Sequence, residues 1–339
     1  MAARPAFRFA TAVNLSLAIG LIWILGQSFG PPALNRFLTE MFIYVVAVVG
    51  LQIFIGNSGI VSFGHSAFML IAAYASAWQT CCPGLKPLTL PGLPDFLLQN
   101  TVPLLPATLI AASLAALVAA LIGLILMRLS GIGASIALFA FLAMMRAIYE
   151  SWTSWTAGAS TLIGLPLDVS TGTAAAWAVV TVAAAVLFRE SRYGLMLRAS
   201  QDDLIAARAS GVPVLLLRIL SLSLSAFFVG VGGVLLGHFL GALSVRTFWL
   251  DLTFLMLAML IFGGRASVTG AVLGAVLIRS VISGFRVLES GVTLGESRFS
   301  LPSGSQELLL AIIILVVLTR RPGGLTRSRE LAWPLRTTR

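Results

Sequence analysis

Few residues in this 339-residue chain are equipped for chemistry. It has two histidines and two cysteines, and the cysteines, Cys81 and Cys82, are neighbours. His65 lies in a dense polar run, Gly56-Asn57-Ser58-Gly59-Ile60-Val61-Ser62-Phe63-Gly64-His65-Ser66. A histidine among hydroxyls can line a polar path or tie two helices together. Zinc chemistry of the H-E-x-x-H type is excluded, because His65 and His238 are far apart. Adjacent cysteines lack C-x-x-C spacing and rarely bridge, which leaves two small apolar residues. A Walker A loop needs a lysine on the phosphates, and Lys86, between Leu85 and Pro87, cannot supply one. Residues 301–305 carry Gly-x-Ser-x-Gly only in scrambled form. The acids Glu40, Glu150, Asp251 and Glu307 fall near the ends of apolar runs, so paired intramembrane carboxylates are not expected. The sequence therefore predicts no enzyme, no metal and no cofactor.

What must position these residues is a membrane. The chain is 58% hydrophobic and 10% charged, with a mean hydropathy of +1.00. A soluble domain carries about 25% charged residues, so the missing polar surface implies lipid. The net charge of +10 does not point to nucleic acid, since the basic residues are scattered singly between apolar runs. Ten spans are predicted: Phe9–Gly26, Leu38–Ile55, Val61–Trp78, Leu104–Met127, Ser135–Tyr149, Ala174–Phe188, Leu215–Leu240, Leu250–Phe262, Ser267–Phe285 and Leu308–Leu318. The fifth, eighth and tenth are short and could be re-entrant. The first is read as a span and not a cleaved leader, because no A-x-A-type site follows it.

Charge orients the bundle. With the N-terminus inside, the inner set is Arg4, Arg8, Arg128, Arg189, Arg192, Arg198, Arg208, Arg218, Arg265, Arg320, Arg321, Arg327, Arg329, Arg336 and Arg339. The outer set is only Arg36, Lys86, Arg246, Arg286 and Arg298, with Arg146 and Arg279 inside spans. The excess predicts both termini inside and an even number of crossings. The expected fold is thus all-α: one transmembrane domain over residues 1–339, with a cytoplasmic loop at 189–214 and a basic cytoplasmic tail at 319–339.

Two small-residue segments sit at the predicted inner face. One is the run from Gly56 to Ser66; the other is Gly263-Gly264-Arg265-Ala266-Ser267-Val268-Thr269-Gly270. Glycine and serine at this density permit either close helix packing or a broken helix whose free N–H groups face a polar solute. Gly59, Ser62, Gly64, His65, Ser66, Gly263, Gly264 and Ser267 are accordingly the candidate pathway residues, with packing as the competing reading. Gly64→Leu is expected to abolish uptake without preventing insertion. In the outer loop, Trp152 and Trp155 serve either as interface anchors or as a docking surface.

The loop from Ala199 to Pro213 is the most deliberate polar architecture in the chain. Ser200 can cap a helix from Gln201 to Ser210, with Asp202 and Asp203 in its first turn, where the helix dipole favours negative charge. Gly211 can take the left-handed position after it, and Pro213 stops it. Leu204, Ile205, Ala206 and Ala207 form a small, partly apolar face and Arg208 a charge beside it. Such a face needs a cover, either the membrane or a partner.

This loop resembles the coupling loop of ABC-importer permeases, with Asp203-Leu204-Ile205-Ala206-Ala207 and Gly211 in place of the "EAA"-type pattern. Together with Gly56–Phe68, Tyr193-Gly194 through Arg198-Ala199, and Gly263-Gly264 with Ser267 and Gly270, it resembles the branched-chain amino-acid, LivM-like permease family from about Val45 to Ile278. The resemblance implies an importer with a homologous second permease subunit, two ATP-binding subunits and a periplasmic solute-binding protein, in a bacterial inner membrane. It implies that Ser200, Asp202, Asp203, Leu204, Ala206, Ala207, Arg208 and Gly211 couple to the ATPases. Departures at Thr156-Ala157-Gly158, Ser160-Thr161 and Ala271 bear on the solute, which stays open among branched-chain amino acids, urea, amides and aromatic acids. A stand-alone secondary transporter or channel is the competing function.

Overall fold

A computed structural model describes residues 10–81, 84, 86–290, 292–294, 297–299, 302, 304–320, 323–326 and 330. Arg4, Arg8, Phe9, Cys82, Leu301, Ser303 and the tail arginines Arg321, Arg327, Arg329, Arg336 and Arg339 lie outside them.

The chain is built from α1 (Ala10–Phe29), α2 (Pro32–Ser58), α3 (His65–Thr80), short α4 (Lys86–Thr89) and α5 (Asp95–Gln99), α6 (Leu104–Leu126) and α7 (Ile132–Ser151). After the single turn α8 (Thr153–Thr156) come β1 (Leu162–Ile163), α9 (Thr171–Glu190), α10 (Arg192–Asp202), α11 (Leu204–Ala209) and α12 (Val214–Leu240). Then follow β2 (Ala242–Leu243), a 3₁₀ turn (Val245–Phe248), α13 (Leu250–Gly263), α14 (Val268–Ser290), β3 (Val292–Leu294), β4 (Ser297–Phe299) and α15 (Ser305–Arg320). β1 pairs antiparallel with β2, Leu162 opposite Leu243, and β3 with β4 as a hairpin.

Eight helices are long and apolar enough to cross a bilayer. Two more of the ten expected spans, α3 and α15, are 16 residues each. The ten apolar runs thus correspond to helices, but their lengths differ from expectation. The fifth run is a full 20-residue helix, and the eighth reaches 19 residues once its 3₁₀ turn is included. The third is shorter than expected, because the chain from Gly59 to Gly64 is not helical. Hydropathy cannot register a turn made of apolar and small residues.

α2 and α12 form the centre. Every residue of α2 from Met41 to Ser58 is buried. α12 crosses it through small residues: a side chain at Gly50 would put its Cβ 3.0 Å from Val229 N, and one at Gly233 would put it 2.4 Å from Met69 O on α3. α6 and α3 flank one side of this pair, α9 and α1 the other, and the α13–α14 pair packs on α2. Serines staple the crossing, with Ser221 Oγ donating to Ile53 O (3.1 Å) and Ser225 Oγ to Gly50 O (2.6 Å). Without a hydrophobic drive between helices in lipid, such close approach and interhelical hydrogen bonding hold the bundle together.

One ionic feature escaped the sequence reading. Arg279 of α14 and Glu40 of α2 form an ion pair 2.5 Å apart, with Arg279 almost fully buried and its guanidinium 4.6 Å from the Tyr44 ring centroid. Two residues far apart in sequence neutralise each other inside the bundle, which is how such charges are tolerated there.

Candidate functional site

The polar run around His65 is a closed hydrogen-bond chain. Ser225 spends its one proton on Gly50 O, so its oxygen accepts from His65 Nε2–H at 2.9 Å. Nδ1 then accepts from Ser62 Oγ at 2.6 Å, and Ser62 in turn accepts from Gly64 N. The imidazole joins α3 to α12, with the Phe54 ring tilted against it and the Phe68 ring edge-on. Ser66 does the same towards α13, with its Oγ 2.5 Å from Thr253 Oγ1. Gly64 exists for proximity: a Cβ there would sit 2.5 Å from Leu138 O on α7. His65 and Ser66 are both buried and both bonded between helices, as the packing reading expects. Gly64→Leu would press directly on the α7 backbone at Leu138.

The second small-residue segment is also a packing knot. A Cβ on Gly263 would lie 1.8 Å from Gly270 O, so α13 and α14 meet backbone to backbone. Gly264 takes φ +122, open only to glycine. Ser267 caps α14, its Oγ accepting from Gly270 N at 3.1 Å.

The two segments nevertheless converge. Gly56 and Val61 from one, and Arg265 and Ala266 from the other, line a cavity of about 440 Å³. Leu257 and Leu260 of α13 supply apolar wall, and Gln201 of α10 reaches in from the loop. None of the eight candidate pathway residues lines this cavity; their immediate neighbours do.

The loop itself differs from the expected single helix. α10 runs through Ser200, whose Oγ donates to Leu197 O (2.6 Å) and caps nothing. Asp202 ends α10, at the helix terminus that the dipole does not favour for an acid. The break is Asp203, extended at φ −147, whose carboxylate accepts from Ile205 N (2.8 Å) and Ala206 N (2.9 Å) and so caps α11. At the other end Gly211 N donates to Arg208 O and Val212 N to Ala207 O, with Gly211 at φ +80. This paired closure around a left-handed glycine is a Schellman motif. Ala207 is buried against its own chain and Leu204 half-buried, while Ile205 is 82% exposed, with Ala206 and Arg208 exposed beside it. Of the four residues of the expected apolar face, the one that protrudes is thus Ile205. α10 is bolted to the end of α2. Gln201 Nε2 donates to Gly56 O (3.1 Å), Arg198 Nη1 donates to Asn57 Oδ1 (3.3 Å), and Gly59, left-handed at φ +72, leaves room for the Gln201 side chain. Burial, reinforced by the nearby Arg189 cation, lowers the pKa of the Arg198 guanidinium.

The tail closes the same end. Leu325 N and Thr326 N donate to Phe262 O and Gly263 O, the last carbonyls of α13. The Glu330 carboxylate accepts from Val268 N, Thr269 N and Thr269 Oγ1 at the start of α14, and pairs with Arg189 at the end of α9 (2.6 Å). On the opposite face, Trp152 and Trp155 stack at 5.0 Å, Trp155 stands edge-on to Trp78, and Trp78 Nε1 donates to Trp155 O. Trp155 is therefore engaged with its own chain. Among the described residues no group of three His, Cys, Asp or Glu is placed to hold a metal.

No curated relative and no solved structure matches the chain. A family model described as "branched-chain amino acid transport system / permease component" matches residues 33–318, from the start of α2 into α15. The multi-pass apolar bundle and this match over most of its length have one conclusion: the chain belongs to the branched-chain amino acid transport permease family.

Proposed function

We propose that this chain is the permease subunit of a binding-protein-dependent ABC importer in a bacterial inner membrane. A homologous second permease, two ATP-binding subunits and a periplasmic solute-binding protein complete the assembly. It translocates branched-chain amino acids or a related small polar solute and hydrolyses nothing itself. Residues 1–339 act as one domain, with both termini on the cytoplasmic side together with the loop at 189–214.

The observation that carries this reading is the architecture of α10 and α11. A protruding Ile205 and an exposed Arg208 ride on a short helix stiffened by Asp203 and the Gly211 motif. An isolated helix of this length would be unstable in water, so its caps matter. The adjoining α10 grips the end of α2 through Gln201 and Arg198, beside the 440 Å³ cavity. A push on α11 is thereby delivered to the helix ends that close that cavity. Asp203, Leu204, Ala206, Ala207, Arg208 and Gly211 keep roles in the loop, with Ile205 as its point of contact. Ser200 and Asp202 belong to the α10 arm that carries the push.

Reconstitution of the chain with its genomic neighbours in sealed vesicles tests this. ATP-dependent uptake that needs the binding protein supports the importer. Uptake by this chain alone, driven by an ion gradient, supports the stand-alone transporter instead.

A further inference from the structure

The 440 Å³ cavity is walled by two groups of elements. One is the end of α2 with Val61 and Gln201 of α10; the other is α13, the turn after it and Gly323 of the tail. The first group moves with the loop, because Arg198 and Gln201 of α10 hold the end of α2. The two walls touch at Gly56, where a Cβ would come within 2.7 Å of Arg265 O. Beyond that contact, the chain's own tail joins them.

On the α13 side the tail is seated backbone to backbone. Gly324 is left-handed at φ +72, and a Cβ there would stand 2.6 Å from Gly264 Cα and 2.8 Å from Ile261 O. Thr326 Oγ1 adds a bond to Gly263 O (3.0 Å) beside those of the backbone. Glu330 then makes the crossing. Its carboxylate caps the first N–H groups of α14, where a helix favours an anion, and also holds Arg189 in the last turn of α9. Ser191, two residues further on, caps α10 by accepting from Gly194 N. One carboxylate thus ties the α13–α14 turn to the helix end from which α10 starts. The pair is largely buried, with side chains 17% and 14% exposed, where a charge-assisted bond is strong. A second carboxylate, Glu190, stands 3.7 Å from the same Arg189 nitrogen.

We propose that the tail, through residues 323–326 and 330, is a releasable strap that holds this cavity shut, with Glu330 and Arg189 as its clasp. A push on α11 moves α10 and, through Ser191, the end of α9. That motion draws Arg189 from Glu330 to Glu190 and frees the α13 wall to part from α2. Glu190 keeps the cation paired throughout, so release strands no charge on Arg189. The inference rests on the permease reading, in which this end of the cavity opens to the cytoplasm.

Cysteine accessibility tests it, on the assembled importer in nanodiscs and on the purified chain, both carrying Cys81→Ala and Cys82→Ala. Leu257→Cys places a reporter on a buried wall of the cavity, and Leu142→Cys, buried on α7 away from that wall, is the control. A water-soluble maleimide should label Leu257→Cys about tenfold faster once Arg189→Gln is added, the scale of losing a charged hydrogen-bond partner. Arg189→Gln leaves the Glu330 cap on α14 in place. Gly324→Val should raise the rate as well, by lifting the strap off Gly264 without touching the ion pair. Glu190→Gln should not raise it, because the closed clasp is on Glu330. In the assembly without these variants, ATP with the loaded binding protein should speed labelling of Leu257→Cys. Unchanged labelling in Arg189→Gln, or an equal rise at Leu142→Cys through general loosening, overturns the strap. So does labelling indifferent to ATP in an assembly that hydrolyses it, which would make Glu330 a fixed tie. An assembly that hydrolyses no ATP contradicts the permease reading instead, and the purified chain still decides whether the clasp holds the cavity shut.

Discussion

The turn at residues 56–66 and the loop at residues 203–211 look alike as sequence. Each interrupts hydrocarbon with small and hydrogen-bonding residues, and each was a candidate for function. Folded, they are opposites. In the first, Ser62, His65 and Ser225 pass hydrogen bonds to one another inside the bundle, and Ser66 finds Thr253. In the second, Asp203 and Gly211 satisfy the backbone while Ile205 is left standing in the open. A polar cluster in a membrane protein can be a staple that has consumed its own polarity or a frame that holds a contact outward. The difference is whether the hydrogen bonds end inside the chain or whether the capped segment exposes apolar surface.

The comparison can be broken from the staple side first. Gly263→Leu should cost the most, because its Cβ would overlap Gly270 O at 1.8 Å and neither backbone can yield cheaply. The loss should exceed the ~1–3 kcal/mol of ordinary overpacking, read as failure to recover monodisperse protein from the membrane. Gly64→Leu should come next, with a lowered thermal midpoint in detergent as well as lost uptake, since Leu138 O stands 2.5 Å from the added carbon. A normal midpoint with lost uptake would favour the pathway reading of Gly64. His65→Leu should destabilise by about 1–2 kcal/mol, the scale of interhelical hydrogen bonds in membranes, and leave substrate preference untouched. A changed preference would favour the pathway reading of His65.

The loop side predicts smaller effects. Asp203→Ala removes the cap of α11 and should cost about 1 kcal/mol locally, seen as faster amide exchange at residues 204–209 and reversed by Asp203→Asn.

Much of the fold was legible because hydropathy and charge report long apolar runs directly, and each of the ten runs contains a helix. Gly211 was legible too, since a glycine before proline at a helix end has few other uses. What was not legible depends on distant residues. Nothing near Glu40 announces Arg279, nothing near Arg189 announces Glu330, and neither pair follows from local pattern. The start of α11 was misplaced because Ser200 and Asp203 are both good caps, and only the extended backbone at Asp203 shows which one serves. Which of Leu204, Ile205, Ala206 and Ala207 would protrude was not legible for a related reason. On a helix of six residues, which face turns outward is fixed by the docking of α10, not by its own sequence.

The central claim is that α11 is the surface on which the ATP-binding subunits push, and Ile205→Asp tests it most directly. Ile205 is almost fully exposed, so the substitution should leave the stability of the membrane domain within about 0.5 kcal/mol. Measured as solute-stimulated ATP hydrolysis in the reconstituted importer, it should cause at least a roughly thirtyfold loss, the scale of a central contact residue worth 2 kcal/mol. Ile205→Leu should retain activity. An Ile205→Asp importer that hydrolyses and transports like its parent would contradict the claim.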